Sequence, residues 1–249
     1  MPRLIHLLDV DPELGSGLAP EDFQAVRRAL VARTEVVAPG PWQPPVAGED
    51  AHALGLLVLG GLATRSIHHG ARMTIELVGE EDVLRPWDDQ AWAPVSVRIA
   101  WEVLQPLTIA SLDRRLAVLL GRYPAVLISL QERMTRRTRA LAFQNLVRAL
   151  PALDQRLPLL LWQLAMRWGR VCPEGVWLPL KLSHKTLAGL VGARRPSVSA
   201  ALVQLESRGT IRRGRDGLWL LDDEVLRPRA QRERPEVPSP TPEDLTSRP

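Results

Sequence analysis

Apolar positions change their spacing along this chain near residue 111. Between residues 34 and 110, short apolar runs alternate with turn-forming clusters: Pro39-Gly40-Pro41, Gly48-Glu49-Asp50, Gly60-Gly61, His68-His69-Gly70, Gly79 and Trp87-Asp88-Asp89. Such regular punctuation predicts an antiparallel sandwich or barrel. The expected strands are Leu54–Leu59, Leu62–Ile67, Met73–Val78, Val95–Ala100 and Leu107–Ala110. Upstream, an irregular opening leads to Pro20-Glu21-Asp22, and Asp22–Arg33 reads as a short amphipathic helix with Phe23, Val26 and Leu30 on one face.

Beyond residue 111 the spacing is helical. Ser111-Leu112-Asp113 can cap a helix that runs to Leu120, with Gly121 ending it. Pro124 suits a first helical turn, and the next break is Pro151. The 26 or so residues between them give a helix of roughly 39 Å. Leu127, Leu130, Met134, Leu141 and Leu146 or Val147 approximate an apolar stripe along it. Two readings fit the stripe: a dimerisation seam, or a core helix packed on its own sheet. Arg137 interrupts the seam, so a strict leucine zipper is not expected. Asp154–Trp168 forms the next helix, with Pro158 in its first turns.

Residues 176–221 carry the most specific local signals. Val176–Leu182 reads as a short edge strand, since Pro179 is tolerated only there. Ser183 can cap a helix over His184–Val191, and Gly192 supplies a tight turn. Pro196 then opens a second helix that ends near Arg208-Gly209, with Val198, Leu202 and Leu205 on its inner face. Ile211 and Leu218-Trp219-Leu220 flank Arg212-Arg213-Gly214-Arg215-Asp216-Gly217, a basic hairpin. Two helices joined by a short turn and followed by a hairpin make a winged helix-turn-helix. Arg194, Arg195, Ser197 and Ser199 lie at the start of the second helix, the end that meets base edges in a major groove. Ser183 and Lys185 at the start of the first helix, and Arg212, Arg213 and Arg215 in the hairpin, complete the candidate DNA-binding set.

Charge sharpens that reading. The net charge of +4 hides three blocks: residues 1–130 hold 11 Arg against 16 Asp+Glu (−5), residues 131–215 hold 14 Arg and 2 Lys against 4 acids (+12), and residues 216–249 hold 5 Arg against 8 acids (−3). A solvated helical surface would account for the basic block, but so would a polyanion, with nucleic acid the obvious candidate. Hydrophobic content of 45% with 24% charged residues fits a folded, soluble protein. A single Cys excludes an intrachain disulfide and a four-Cys metal site made within one chain. The longest apolar run, Ala53–Ala63, has 11 residues and is too short for a bilayer. Residues 1–20 show no signal peptide, so a cytoplasmic location is expected.

Leu178-Pro179-Leu180, Ala188-Gly189-Leu190-Val191-Gly192, Arg195-Pro196-Ser197-Val198-Ser199, Leu202, Leu205 and Gly209-Thr210-Ile211 closely resemble the DNA-binding domain of the Crp/Fnr superfamily of bacterial transcription regulators. The resemblance covers about residues 4–222, strongly in the last fifty and weakly upstream. Val58–Ala63 is similar to the family's strand-turn around a fixed glycine, and Gly79–Leu84 to the segment before its ligand cassette. It implies an α+β chain with an antiparallel β jelly-roll sensor over residues 1–122, a dimerisation helix over 123–150 and a winged helix-turn-helix over 151–222. The Pro-, Glu- and Ser-rich composition of residues 223–249 predicts a disordered tail. The resemblance further implies a homodimer on double-stranded DNA, with RNA polymerase a candidate further partner. Two positions depart from the family's cyclic-AMP branch: Pro196 stands where an acid is usual, and Ala200 where an Arg is common. A different operator is therefore expected.

In this family the cyclic-nucleotide phosphate is held by an Arg followed by Ser or Thr. Here the corresponding stretch runs from Trp87 to Ser96 without an Arg, and Glu80, Glu81, Asp82, Asp88 and Asp89 would repel a phosphate. Tight binding of cyclic AMP or cyclic GMP is not expected, no cofactor is assigned, and the effector stays unknown. His68-His69-Gly70 is either a haem or metal ligand pair or a hairpin tip. Trp87, Trp92 and Trp101 either line a pocket or fill the core. Cys172, beside Pro173, is a lone thiol of a kind usually inert. An enzyme is not expected, because GxSxG, a glycine-rich phosphate loop and HExxH are all missing. A protein-interaction module that uses the winged helix without DNA is the alternative function.

Overall fold

The computed structural model describes residues 3–45, 53–88, 94–214 and 218–222. They fall into two compact units, Met1–Leu160 with Leu182–Ser199, and Leu161–Lys181 with Ala200–Pro249.

The first unit opens with β1 (Arg3–His6), α1 (Leu7–Val10), a 3-10 turn over Pro12–Gly15, and α2 (Pro20–Ala29). There follow β2 (Val31–Val37), β3 (Gly40–Trp42), β4 (Gly55–His69), β5 (Arg72–Gly79), β6 (Val83–Leu84) and β7 (Arg98–Leu112). All seven strands pair antiparallel in one sheet of order β1-β2-β7-β4-β5, with β3 on β7 and β6 on β4. Among the described residues the pairings do not close into a barrel, and β5 ends the ladder.

Alternation along β4 and β7 sorts side chains into two cores, as the two-residue period of a strand requires. Leu57, Ala110 and Leu112 pack with Leu7, Leu8, Leu14, Val26 and Leu30, while Leu56, Val58 and Ile109 pack with Val78, Leu84, Trp101 and Val103. Trp101 is buried and meets Trp42 edge-to-face with ring centroids 5.5 Å apart. It therefore fills core. Trp87 packs against the same cluster, and Trp92 lies outside the described residues.

Several expected boundaries move. The helix read over Asp22–Arg33 stops at Ala29, because the β-branched run Val31–Val37 is drawn into β2, between β1 and β7. Leu54–Leu59 and Leu62–Ile67 are one strand: Gly60-Gly61 makes bulges, not a turn, with register shifts between Val58 and Ala63. Gly61 needs to be glycine there. Its φ is +93°, and a Cβ would sit 2.1 Å from the Pro106 carbonyl oxygen. Leu107–Ala110 and the second half of Val95–Ala100, from Arg98 on, likewise merge into β7. Ser111 stays in that strand, so the next helix, α3 (Arg114–Leu120), is capped by Asp113, whose Oδ1 accepts from the Leu116 amide at 2.9 Å.

The long helix is present as α4 (Pro124–Ala149), 26 residues with Pro at its start. Val126, Ser129, Leu130, Arg133, Gln144 and Val147 form its buried face. Ile128, Gln131, Thr135, Thr138, Ala142, Leu146 and Ala149 form an uncharged, exposed face. α5 (Leu153–Trp168) follows and runs from the first unit into the second.

Later elements are β8 (Arg170–Cys172), β9 (Gly175–Leu178), α6 (His184–Val191), α7 (Arg195–Ser207), β10 (Ile211–Arg213) and β11 (Trp219–Leu221). The second unit's sheet has the order β10-β11-β9-β8, so β9 is an interior strand and not the expected edge. Pro179 is accommodated because β9 ends one residue earlier, at Leu178.

Candidate nucleic-acid interface

Local chemistry shapes the α6–α7 segment. Ser183 Oγ accepts from the Thr186 amide at 3.0 Å and so caps α6. Thr186 through Val191 are all buried, which fixes the helix by packing. Gly192 takes φ +66° and ends α6, while the Ala193 amide bonds back to Ala188 O at 2.9 Å. The chain restarts at once. Arg194 O accepts from the Val198 amide at 3.1 Å, and Pro196 sits in the first turn of α7. Val198 is fully buried, which turns Arg194, Arg195, Pro196 and Ser197 outward. Two guanidinium groups and a hydroxyl thus stand exposed at a helix N-terminus, the positive end of its dipole.

The chain carries a Crp-like helix-turn-helix domain. The Crp-like helix-turn-helix family model matches residues 155–229. Among solved structures, the chain is similar to a CooA mutant from Carboxydothermus hydrogenoformans (19% identity, 89% of this chain and 95% of that one, TM-score 0.64). It is also similar to a cyclic nucleotide-binding domain containing protein from Listeria monocytogenes (16%, 87% and 99%, TM-score 0.66). A CRP/FNR-family transcriptional regulator from Thermus thermophilus matches at 21% identity over 80% and 98%, TM-score 0.57. No curated protein matches significantly in sequence. At these identities the likeness establishes the fold, that of Crp/Fnr regulators, with a mixed helical and antiparallel-sheet build.

Within the Crp-like helix-turn-helix, the expected site residues divide by role. Lys185, Arg194, Arg195 and Ser197 are exposed. Ser183 is engaged in its cap. Ser199 Oγ donates to Arg195 O at 3.1 Å and takes a hydrogen bond from His184 Nδ1 at 2.8 Å, tying α6 to the first turn of α7. In the second unit, Arg212 and Arg213 lie exposed on β10. Arg213 stacks 5.4 Å from the Trp219 ring centroid, and Arg212 reaches Glu174 O at 3.4 Å. The Gly214 amide bonds to Leu218 O at 2.9 Å beneath the hairpin tip, while Arg215 lies outside the described residues.

Much of the basic block is engaged elsewhere. Arg133, only 2% exposed in its side chain, makes a two-armed ion pair with Asp11. Burial works against its charge, but the Asp11 carboxylate, with Glu81 and Glu13 behind it, leaves its pKa raised. Arg136 pairs with Glu81 at 3.2 Å, and Arg137 and Arg65 share Glu76 at 2.7 and 2.9 Å. Arg156 donates to Leu150 O at 2.6 Å and Val191 O at 3.2 Å. Arg137 therefore faces the sheet and does not interrupt the exposed face of α4.

Of the four expected dimerisation residues, Leu130 turns into the core with Leu127 packed beside it, Leu141 is half-buried and Met134 is exposed. In the sheet, His68 Nε2 meets Ser66 Oγ at 3.0 Å and His69 Nδ1 meets Ser96 O at 3.2 Å. Burial, then Arg98, pushes the His68 pKa below its ordinary value. Among the described residues no group of three or more His, Cys, Asp or Glu could hold a metal. Cys172 Sγ donates to Gly175 O at 3.3 Å. The acids expected to repel a phosphate are themselves engaged: Asp82 is buried and accepts from the Gly79 amide, Glu81 pairs with Arg136, and Asp88 pairs with Arg85 at 2.6 Å. Asp89 lies outside the described residues. Among the described residues, no helix is long and apolar enough to cross a membrane.

Sequence reasoning missed Gln144, Arg148, Arg156 and His184. Their partners are mostly backbone carbonyls, which leave no mark in residue spacing.

Proposed function

We propose that this chain is a sequence-specific DNA-binding transcription regulator that acts as a homodimer on a roughly palindromic site. The observation that carries the reading is the exposed start of α7, with Arg194, Arg195 and Ser197 directed outward after a glycine turn. An Arg there can fork onto guanine O6 and N7, while Lys185, Arg212 and Arg213 take phosphates. Arg215 joins the same set by its position in the sequence, two residues after Arg213. Ser183 and Ser199 act through helix capping and the α6–α7 tie. In domain terms, residues 1–122 would form the sensor, 123–150 the dimerisation helix and 151–222 the DNA-binding part.

The uncharged exposed face of α4 supports dimerisation, with Ile128 and Leu146 as its large apolar positions and Leu127, Met134 and Leu141 at its margin. Two such protomers would set their reading helices in successive major grooves about 34 Å apart. Sedimentation of Met134→Glu against the parent chain tests this, with a shift toward monomer expected. The sensor does not bind cyclic nucleotides tightly, because residues 87–97 contain no Arg beside a Ser or Thr. Micromolar cyclic-AMP affinity by titration calorimetry would sink that part. Selection of bound duplexes from a random pool tests the whole reading. A two-half-site motif is expected, and failure to enrich any sequence refutes it.

A further inference from the structure

The junction of α4, β5 and α6 lies wholly inside the first unit and joins two sets of backbone acceptors that have no partner of their own kind. β5 ends its sheet, so its outer carbonyls lack a strand. The last carbonyls of α6 lack helical amides. Gln144 of α4 donates to both, to Ile75 O at 2.9 Å and to Leu190 O at 3.0 Å. One turn on, Arg148 repeats the bridge: Nε donates to Leu190 O at 2.7 Å, and Nη2 to Gly189 O at 2.8 Å and Ile75 O at 3.0 Å. Its Nη1 reaches Thr74 Oγ1. Burial pushes the Arg148 pKa down, against the pull of Glu76. The guanidinium nevertheless keeps its charge and complements the negative end of the α6 dipole.

Contact between the two elements is as close as glycine permits. A Cβ on Gly189 would lie 2.3 Å from Ile75 Cδ1 and 2.8 Å from Cγ1. Beside this contact is a cavity of about 530 Å³, walled on one side by Ala71 of the β4–β5 turn and by Arg72 and Met73 at the start of β5. Lys185, Gly192 and Arg195 of the helix-turn-helix wall the other side. The turn therefore occupies space next to two cations assigned above to DNA, and brings a third cation, Arg72, beside them. A duplex approaching Lys185 and Arg195 would meet the turn.

We propose that Gln144 and Arg148 are a latch that docks α6 onto β5, and that the docked form is the low-affinity state for DNA. The inference rests on the DNA-binding reading for its second half only. If the latch keeps nine-tenths or more of the molecules docked, releasing it lowers the apparent Kd for DNA by about tenfold or more.

Gly189→Ala tests it in the full-length chain. Alanine is the better helix former, so α6 itself is not weakened, while the added methyl clashes with Ile75 as it stands and forces that side chain, and the contact it makes, to shift. Hydrogen exchange over residues 72–79 should accelerate, and affinity for a selected duplex at fixed salt should rise about tenfold. Combining it with Ile75→Ala, which leaves only the residue-75 Cβ at 3.3 Å, should restore both to near the parent values. Unchanged exchange in Gly189→Ala overturns the latch, whatever the DNA result. Faster exchange with unchanged or weaker DNA affinity overturns docking as the inhibited state. Chains that never bind DNA, parent included, overturn the DNA-binding reading and the regulatory half with it, while faster exchange would still uphold the latch.

Discussion

The salt dependence of DNA binding separates the arginines that face a duplex from those that hold the protein together. Each phosphate contact contributes about −0.9 to the slope of log K against log salt. If all 16 Arg and Lys of residues 131–215 touched phosphate, a dimer would make 32 contacts and a slope of about −29. The structure engages Arg133, Arg136 and Arg137 with carboxylates, and Arg148 and Arg156 with carbonyls. Those five leave eleven cations, of which the proposed interface uses six, Lys185, Arg194, Arg195, Arg212, Arg213 and Arg215, and not Arg139, Arg167, Arg170, Lys181 or Arg208. That gives at most twelve contacts per dimer and a slope no steeper than about −11. Removing a phosphate-assigned cation from both protomers, as in Arg212→Ala, should flatten the slope by about 1.8. Arg136→Ala, which breaks the 3.2 Å pair with Glu81, should leave it unchanged. Fluorescence anisotropy on a selected duplex over a salt series measures both. A parent slope well beyond −11, or equal flattening by the two variants, would refute the assignment of charges.

Three further outcomes follow from packing and titration. Arg133→Met should cost about 3 kcal/mol in denaturant unfolding, the lower end for a broken buried pair because Asp11 keeps some access to water. Adding Asp11→Asn should recover part of that loss, and no recovery would mean the pair is not coupled. Gly61→Ala should cost on the order of 3 kcal/mol, combining a positive φ with a backbone clash at Pro106, measured as a lowered Tm of the full chain. His68 has its pKa lowered on folding, so just below 6.5 the unfolded chain binds more protons than the folded one. Its contribution is thus present above pH 6.5 and lost as pH falls toward the folded pKa. Stability measured between pH 7 and 5 should fall less steeply in His68→Asn, and an unchanged slope would remove His68 from the account.

How much of this was legible in the sequence depends on where each determinant resides. The α6–α7 segment could be read almost residue by residue, because a cap at Ser183, a glycine at 192 and a proline at 196 act locally. The sheet was legible in kind but not in its joints. Gly60-Gly61 signals a turn just as strongly as a bulge, and only the passage of Pro106 on β7 decides between them. Val31–Arg33, the start of β2, was read into the neighbouring helix because its strand character needs β1 and β7 on either side. On α4, the apolar stripe was visible, but which half of it faces the protomer's own core was not. Leu130 and Arg133 turn inward because Leu7, Leu14 and Asp11 are there to meet them, more than a hundred residues upstream.

The charge blocks show the same limit most clearly. An acidic first half beside a basic second half looks like two surfaces with two tasks. In the folded first unit, the blocks partly neutralise each other: Asp11 meets Arg133, Glu76 meets Arg137, and Glu81 meets Arg136. These pairs fasten the long helix to β5, to the β5–β6 turn and to the N-terminal segment, so an arginine-rich helix is first an internal fastening. Among the cations that the cancellation leaves exposed are Lys185, Arg194 and Arg195 around the glycine turn and Arg212 and Arg213 on β10, beside Arg139, Arg167, Arg170, Lys181 and Arg208. Exposure after pairing, and not total charge, is therefore the quantity that ranks residues for DNA contact. By that ranking Arg194 and Arg195 stand well above any arginine of α4 that is paired to the sheet.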